Sequence, residues 1–127
     1  MKIESINARD APQPGGGYAQ AVRRTDFDEL VFVSGQIPVD AEGVVPEAFV
    51  DQCRVVWRNV EAQLRAAGLG LADIVKVTTY LGDRAYAAEN SAIRREVLAG
   101  LTPALTVIIA GIYDPAWLLE IEVVAAR

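Results

Sequence analysis

Phe49-Val50-Asp51-Gln52-Cys53-Arg54-Val55-Val56-Trp57-Arg58-Asn59-Val60-Glu61-Ala62-Gln63-Leu64 keeps one apolar stripe, Phe49, Cys53, Val56, Val60 and Leu64. That spacing is one face of a helix. Soon after it, Ile74-Val75-Lys76-Val77-Thr78-Thr79-Tyr80-Leu81 changes to a two-residue period. Side chains in a strand point alternately to opposite faces, so this run predicts a strand. A helix followed at once by a strand is the unit of a layered fold in which helices cover a sheet.

Working outward, the first helix is expected from Glu47 to Ala67, with Gly68 at its C′ position. Asp83 is placed to cap a second helix reaching about Leu98 and closed by Gly100. Ala104 to Ala110 and Trp117 to Ala125 read as the last two strands. Upstream, Leu30 to Gln36 is a β-branched, apolar run suited to a buried strand, and Tyr18 to Val22 reads as a short one. Asp40-Ala41-Glu42-Gly43 is a turn, and Pro12 to Gly17 is a loop. The predicted order is β-β-β-α-β-α-β-β, an α+β domain with two helices on one face of a mixed sheet. No repeat or linker divides residues 1–127, so one domain is expected.

The chain of 127 residues is 52% apolar and 23% charged, an ordinary globular balance. It contains no histidine. That removes Ser-His-Asp and Cys-His catalysis and imidazole zinc sites, and leaves carboxylate, tyrosine, lysine, cysteine or ordered water for proton transfer. The single cysteine, Cys53, has no intramolecular disulfide partner and lies on the apolar helix face as a small hydrophobe. A net charge of −5 disfavours nucleic acid, and Arg23-Arg24 and Arg94-Arg95 read as solvated faces. No apolar run approaches the length of a membrane span, and Met1-Lys2-Ile3-Glu4-Ser5 lacks a signal-peptide core. The expectation is a cytoplasmic protein with no membrane partner, no metal and no cofactor.

Four runs then combine. They are Gly17-Tyr18-Ala19-Gln20-Ala21-Val22, Val31-Phe32-Val33-Ser34-Gly35-Gln36-Ile37-Pro38, Pro103-Ala104-Leu105-Thr106-Val107, and Leu119-Glu120-Ile121-Glu122-Val123-Val124-Ala125. In this order and spacing the chain resembles the reactive intermediate deaminase (Rid, formerly YjgF) family over nearly its whole length. The resemblance implies a chorismate mutase-like fold with a mixed six-stranded sheet. It also implies a homotrimer whose sheets line a central barrel, with sites in the clefts between subunits. The reaction it implies is hydrolysis of a short-lived imine or enamine, a small-molecule substrate, to a ketone and ammonia.

The resemblance assigns roles residue by residue. Glu120 matches the glutamate that positions or activates the attacking water, and a partly desolvated carboxylate with a raised pKa suits that task. Ser34 and Gly35 follow a buried strand, and the Gly35 backbone is expected to face the ligand. Tyr18 is expected to line the cleft, in a run where glycine replaces the proline of Gly-Pro-Tyr-Ser-Gln, so the loop should be looser. Asn90 matches the asparagine of the second helix, where it braces the helix or approaches the cleft. Thr106 keeps the family's Ser/Thr position beside residue 105. Glu122 reads as structural or exposed, Trp57 as core or interface, and Trp117 and Tyr113 as a wall at the cleft mouth or as structural aromatics.

Leu105 is the departure. Relatives carry an arginine there that grips the substrate α-carboxylate, and many carry a cysteine where this chain has Val107. Losing a charge-assisted contact costs about 1.5–3 kcal/mol, so 2-iminobutyrate and 2-aminoacrylate are expected to be poor substrates. Three readings stay open: an imine or enamine hydrolase whose substrate lacks the α-carboxylate contact, a non-catalytic ligand-binding or regulatory trimer, and an ordinary deaminase with a relocated cation. Lys76, Arg84 and Arg94 are the candidates for that cation.

Overall fold

The change of period at Ile74 is where the computed structural model, which describes residues 2–127, passes from helix to sheet. Strands β1 (Lys2–Ile6), β2 (Ala21–Thr25) and β3 (Leu30–Gln36) precede helix α1 (Phe49–Ala66). They are followed by β4 (Ile74–Leu81), α2 (Ala87–Leu98), β5 (Ala104–Ile109) and β6 (Leu119–Ala126). The element order is the expected one, and β3 and β4 keep their expected bounds.

The ends of the helices differ by a turn or less. Ala48 is extended (φ −78°, ψ 143°) and offers no side-chain cap, so α1 begins at Phe49 rather than Glu47. Asp51 in the first turn complements the exposed N–H groups instead. Asp83 does cap, accepting from Ala85 N at 2.8 Å, but it starts a single 3-10 turn and α2 proper begins at Ala87. Ala99 (φ 47°) and Gly100 (φ +91°) close α2 in the left-handed region.

Six strands form, but not one sheet. β1 and β2 pair antiparallel by themselves, and β3-β6-β4-β5 form a separate four-stranded sheet in which only β4 and β5 are parallel. The expected strand Tyr18 to Val22 is displaced to Ala21–Thr25. Gly16 (φ +120°) and Gly17 (φ +74°) turn the chain just before it, and Ala19 makes only a single bridge to Ala104. That bridge, with Ala19 N donating to Pro103 O at 3.1 Å, is one tie between the small sheet and the large one, and the Ser5–Thr102 hydroxyl pair at 3.1 Å is another.

The stripe read from the sequence is the core. Phe49, Cys53, Val56, Val60 and Leu64 are all buried, against Val33, Val77, Leu81, Ile121 and Val123 of the sheet. Burial pushes the Cys53 thiol up to about 12, so no thiolate nucleophile forms there. Trp57 is core. The alternation of β4 holds from Lys76 onward, while a register shift between Ile74 and Lys76 buries Ile74 as well. Arg94 is a correction: it is buried, 3% exposed, rather than part of a solvated face. Arg24 is likewise half-buried, its Nη2 4.0 Å from Asp73 Oδ1. No helix among the described residues is long and apolar enough to cross a membrane.

The register fixes which residues share a face. Val77 pairs with both Leu105 and Val123, and these look toward the helices. Tyr80 pairs with both Glu120 and Ile108, and these look the other way. On that second face Leu30, Phe32 and Ile108 are exposed, Phe32 by 73%.

Candidate active site

Glu120 and Gly35 meet through a defect in the sheet. Val33 pairs with Val123, and the next pair is Gln36 with Ile121. Three steps on β3 thus oppose two on β6, which is a β-bulge at Ser34-Gly35. Such bulges re-aim side chains and are common beside active sites. A Cβ on Gly35 would lie 2.9 Å from Glu120 Cγ and 2.7 Å from its Cδ, and would overlap Oε2 outright. The glycine is required for space: the Glu120 carboxylate occupies the volume where any other residue would place its side chain. Ser34 is exposed, and its carbonyl accepts from Gln36 Nε2 at 3.0 Å.

No side chain among the described residues donates a hydrogen bond to Glu120. Its neighbour Glu122 is engaged, accepting from Tyr80 Oη at 2.7 Å. That bond, partial burial and the charges of Glu122 and Glu120 hold the Tyr80 hydroxyl above its usual pKa. Tyr80, Gly111, Ile112, Tyr113, Glu120 and Glu122 line a cleft of about 250 Å³. Tyr113 is almost wholly exposed at its mouth and leans on Trp117, ring centroids 6.4 Å apart. Buried Gln52 holds the loop entering β6, donating to Ala116 O at 2.9 Å and accepting from Leu118 N at 2.8 Å. Glu120 is therefore presented by a fixed strand end.

A second cluster forms on the helix side. Tyr18, Leu105, Val107, Ser91, Arg94 and Arg95 contribute to a cleft of about 440 Å³. The loop at its rim is anchored, contrary to the expectation of looseness. Arg95 Nη2 donates to Gly16 O at 3.3 Å, and Tyr18 Oη accepts from Gly15 N at 3.1 Å. A Cβ on Gly16 would come within 3.2 Å of Arg95 Nη2 and one on Gly17 within 2.9 Å of Arg95 Cγ, and their φ of +120° and +74° are closed to proline. The Gly16-Gly17 pair, which stands where the resemblance expects a proline, is thus matched to Arg95 lying across it.

The two clusters are not brought together within one chain. Leu105 faces the helices and Glu120 faces away, on opposite faces of one sheet. Thr106 lies on the Glu120 face, where its Oγ1 takes Lys76 Nζ at 2.7 Å. Asn90 is buried in α2, 2% exposed, and lines neither cleft. Arg95, Ser91 and Tyr80 were not among the site residues expected from sequence, and Arg94 was named there only as one of three candidates for a relocated cation. The available signal was the i, i+3, i+4 spacing of Ser91, Arg94 and Arg95, which puts all three on one side of a helix.

Comparison with known proteins places this geometry. Residues 8–127 match the family described as endoribonuclease L-PSP. A RutC family protein of Pyrococcus horikoshii is 36% identical over 126 residues, covering 98% of each chain. TdcF of Escherichia coli, named as a candidate reactive intermediate deaminase, is 42% identical over 79 residues, 61% of this chain and 59% of its own. Its crystal structure with bound serine superposes with a TM-score of 0.72, at 30% identity and 98% coverage of both chains. A Rid family protein of Yersinia pestis, YyfB, whose function is described as unknown, superposes with a TM-score of 0.89, at 27% identity and full coverage of both chains.

Proposed function

The chain belongs to the endoribonuclease L-PSP family, which includes the Rid proteins, and from that membership we propose that it hydrolyses an imine or enamine intermediate. The observation that carries this reading is Glu120 seated against Gly35 with no side-chain donor among the described residues to occupy it. A protonated imine carbon is already electrophilic, so a held water, one carboxylate and backbone donors suffice. Glu120 takes a proton from water as the new C–O bond forms. Glu120 returns that proton to the carbinolamine nitrogen, and the C–N bond then breaks as the hydroxyl gives its proton to Glu120 and becomes the ketone oxygen, releasing ammonia. Neither step needs histidine or metal. Net charge −5, with Glu120 and Glu122 side by side on the open face, argues against an RNA substrate.

The working form is a homotrimer in which the Glu120 face of one subunit closes against the Tyr18–Leu105 cleft of the next. Two features support this. The two half-sites lie on opposite faces of the sheet, so only a second copy can complete a cleft. Leu30, Phe32 and Ile108 leave an apolar face in water that a monomer rarely tolerates. Serine bound to the relative TdcF supports a ligand of amino-acid size.

The test generates imines in place with a pyridoxal-phosphate dehydratase acting on threonine or serine, alongside a neutral ketimine, and follows ammonia. Acceleration over the spontaneous rate for any of them is expected, from a particle of three subunits by sedimentation. No acceleration of any imine by the intact oligomer would favour a ligand-binding role.

A further inference from the structure

We propose that Arg94 supplies, from helix α2, the guanidinium that Leu105 withdraws from strand β5, making the cleft between them a carboxylate site. This rests on the hydrolase reading above for its place in a reaction, though not for its chemistry. Arg94 is 3% exposed and lines the cleft beside Leu105 and Tyr18. Its Nε is buried with no hydrogen-bond partner, and no carboxylate lies within ion-pairing distance among the described residues. A charge in that position is costly unless something pairs with it.

The surroundings point to an anion rather than to a structural role. Burial, and then the charge of Arg95 next to it on the same cleft, lower the Arg94 pKa. A carboxylate entering the cleft would offset both by pairing with the charge. Arg95 itself is committed to the glycine loop through Gly15 O at 3.5 Å and Gly16 O at 3.3 Å, which leaves Arg94 as the free donor. Tyr18 Oη accepts from Gly15 N, so its own proton remains available to the same anion. The guanidinium fork suits the two coplanar oxygens of a carboxylate. The substrate class is therefore an imine or enamine that keeps a carboxylate. This reverses the expectation drawn from Leu105 alone that 2-imino acids are poor substrates.

The experiment is binding of 2-oxobutyrate, with butanone as its neutral counterpart, by titration calorimetry on the intact oligomer. 2-Oxobutyrate is expected to bind and butanone to bind at least about tenfold more weakly. Arg94→Gln should weaken 2-oxobutyrate about 10- to 100-fold without lowering the melting temperature, since it removes an unpaired buried charge. Arg94→Lys should restore part of the affinity, and Arg94→Gln combined with Leu105→Arg should restore more. Equal binding of the acid and the ketone, or an Arg94→Gln oligomer that binds 2-oxobutyrate unchanged, overturns the proposal. Because the probe does not react, carboxylate binding without any imine turnover would sink the hydrolase reading and leave the anion site standing. Turnover that survives Arg94→Gln would do the reverse.

Discussion

Glu120→Gln is expected to lower imine hydrolysis by about 10²- to 10⁴-fold, the usual contribution of a placed general base. The amide keeps the shape of the carboxylate and its seat on Gly35 but cannot accept a proton from water. Binding of 2-oxobutyrate in the cleft lined by Arg94 and Tyr18 should not weaken, because the amide keeps the size of the carboxylate it replaces and the ketoacid's own carboxylate is held by Arg94. Steady-state rates with both constants separated, and a titration of the ketoacid, measure the two effects. A rate within a few-fold of the parent would remove Glu120 from the chemistry. Glu122 would not replace it readily, since its Oε1 already accepts from Tyr80.

Gly35→Ala should cost nearly as much by displacing Glu120 rather than neutralising it. The added methyl would overlap the carboxylate and approach Cδ within 2.7 Å. Glu120 is a flexible side chain on a strand end, so it can swing aside, and the fold should survive with a stability change of about 1 kcal/mol or less. A displacement of about an ångström in a reacting group costs on the order of 10²-fold in rate. The expected signature is a fall in the turnover number of that size with an almost unchanged melting temperature. A large loss of stability with normal specific activity of the folded fraction would mean that Gly35 matters for the bulge and not for Glu120.

The layer order was readable because it rests on period alone. The stripe from Phe49 to Leu64 and the alternation from Lys76 to Leu81 admit one arrangement each. What could not be read was the break between the two sheets. β2 begins only at Ala21, after backbone turns at Gly16 and Gly17 that a strand-like run such as Tyr18 to Val22 does not announce. Glu120, Gly35, Tyr18 and Leu105 were all reachable through the resemblance, but not their division between two faces. That division follows from the pairing of Val77 with Leu105 and of Tyr80 with Glu120, and register is a property of the folded sheet. Arg94 was reached only as one of three candidate cations, with nothing in the sequence to place it in the cleft. A dipeptide of arginines on a helix is usually solvated, but Arg94 falls on the buried face of α2 with Asn90, Ile93 and Leu98.

A cleft shared between subunits is tested most directly by mixing two inactive proteins. Val107 lines the Tyr18–Leu105 cleft and is exposed, so Val107→Trp should fill that cleft without disturbing the core. Glu120→Gln leaves the cleft open and removes the proton acceptor on the opposite face. Each variant alone should be inactive as an oligomer of normal size. If Glu120 of one subunit serves the cleft of its neighbour, equal amounts exchanged together should recover about a quarter of parental activity by random assortment in a ring. Mixed oligomers, verified by mass, that stay inactive would contradict the shared cleft and place the whole reaction within one chain.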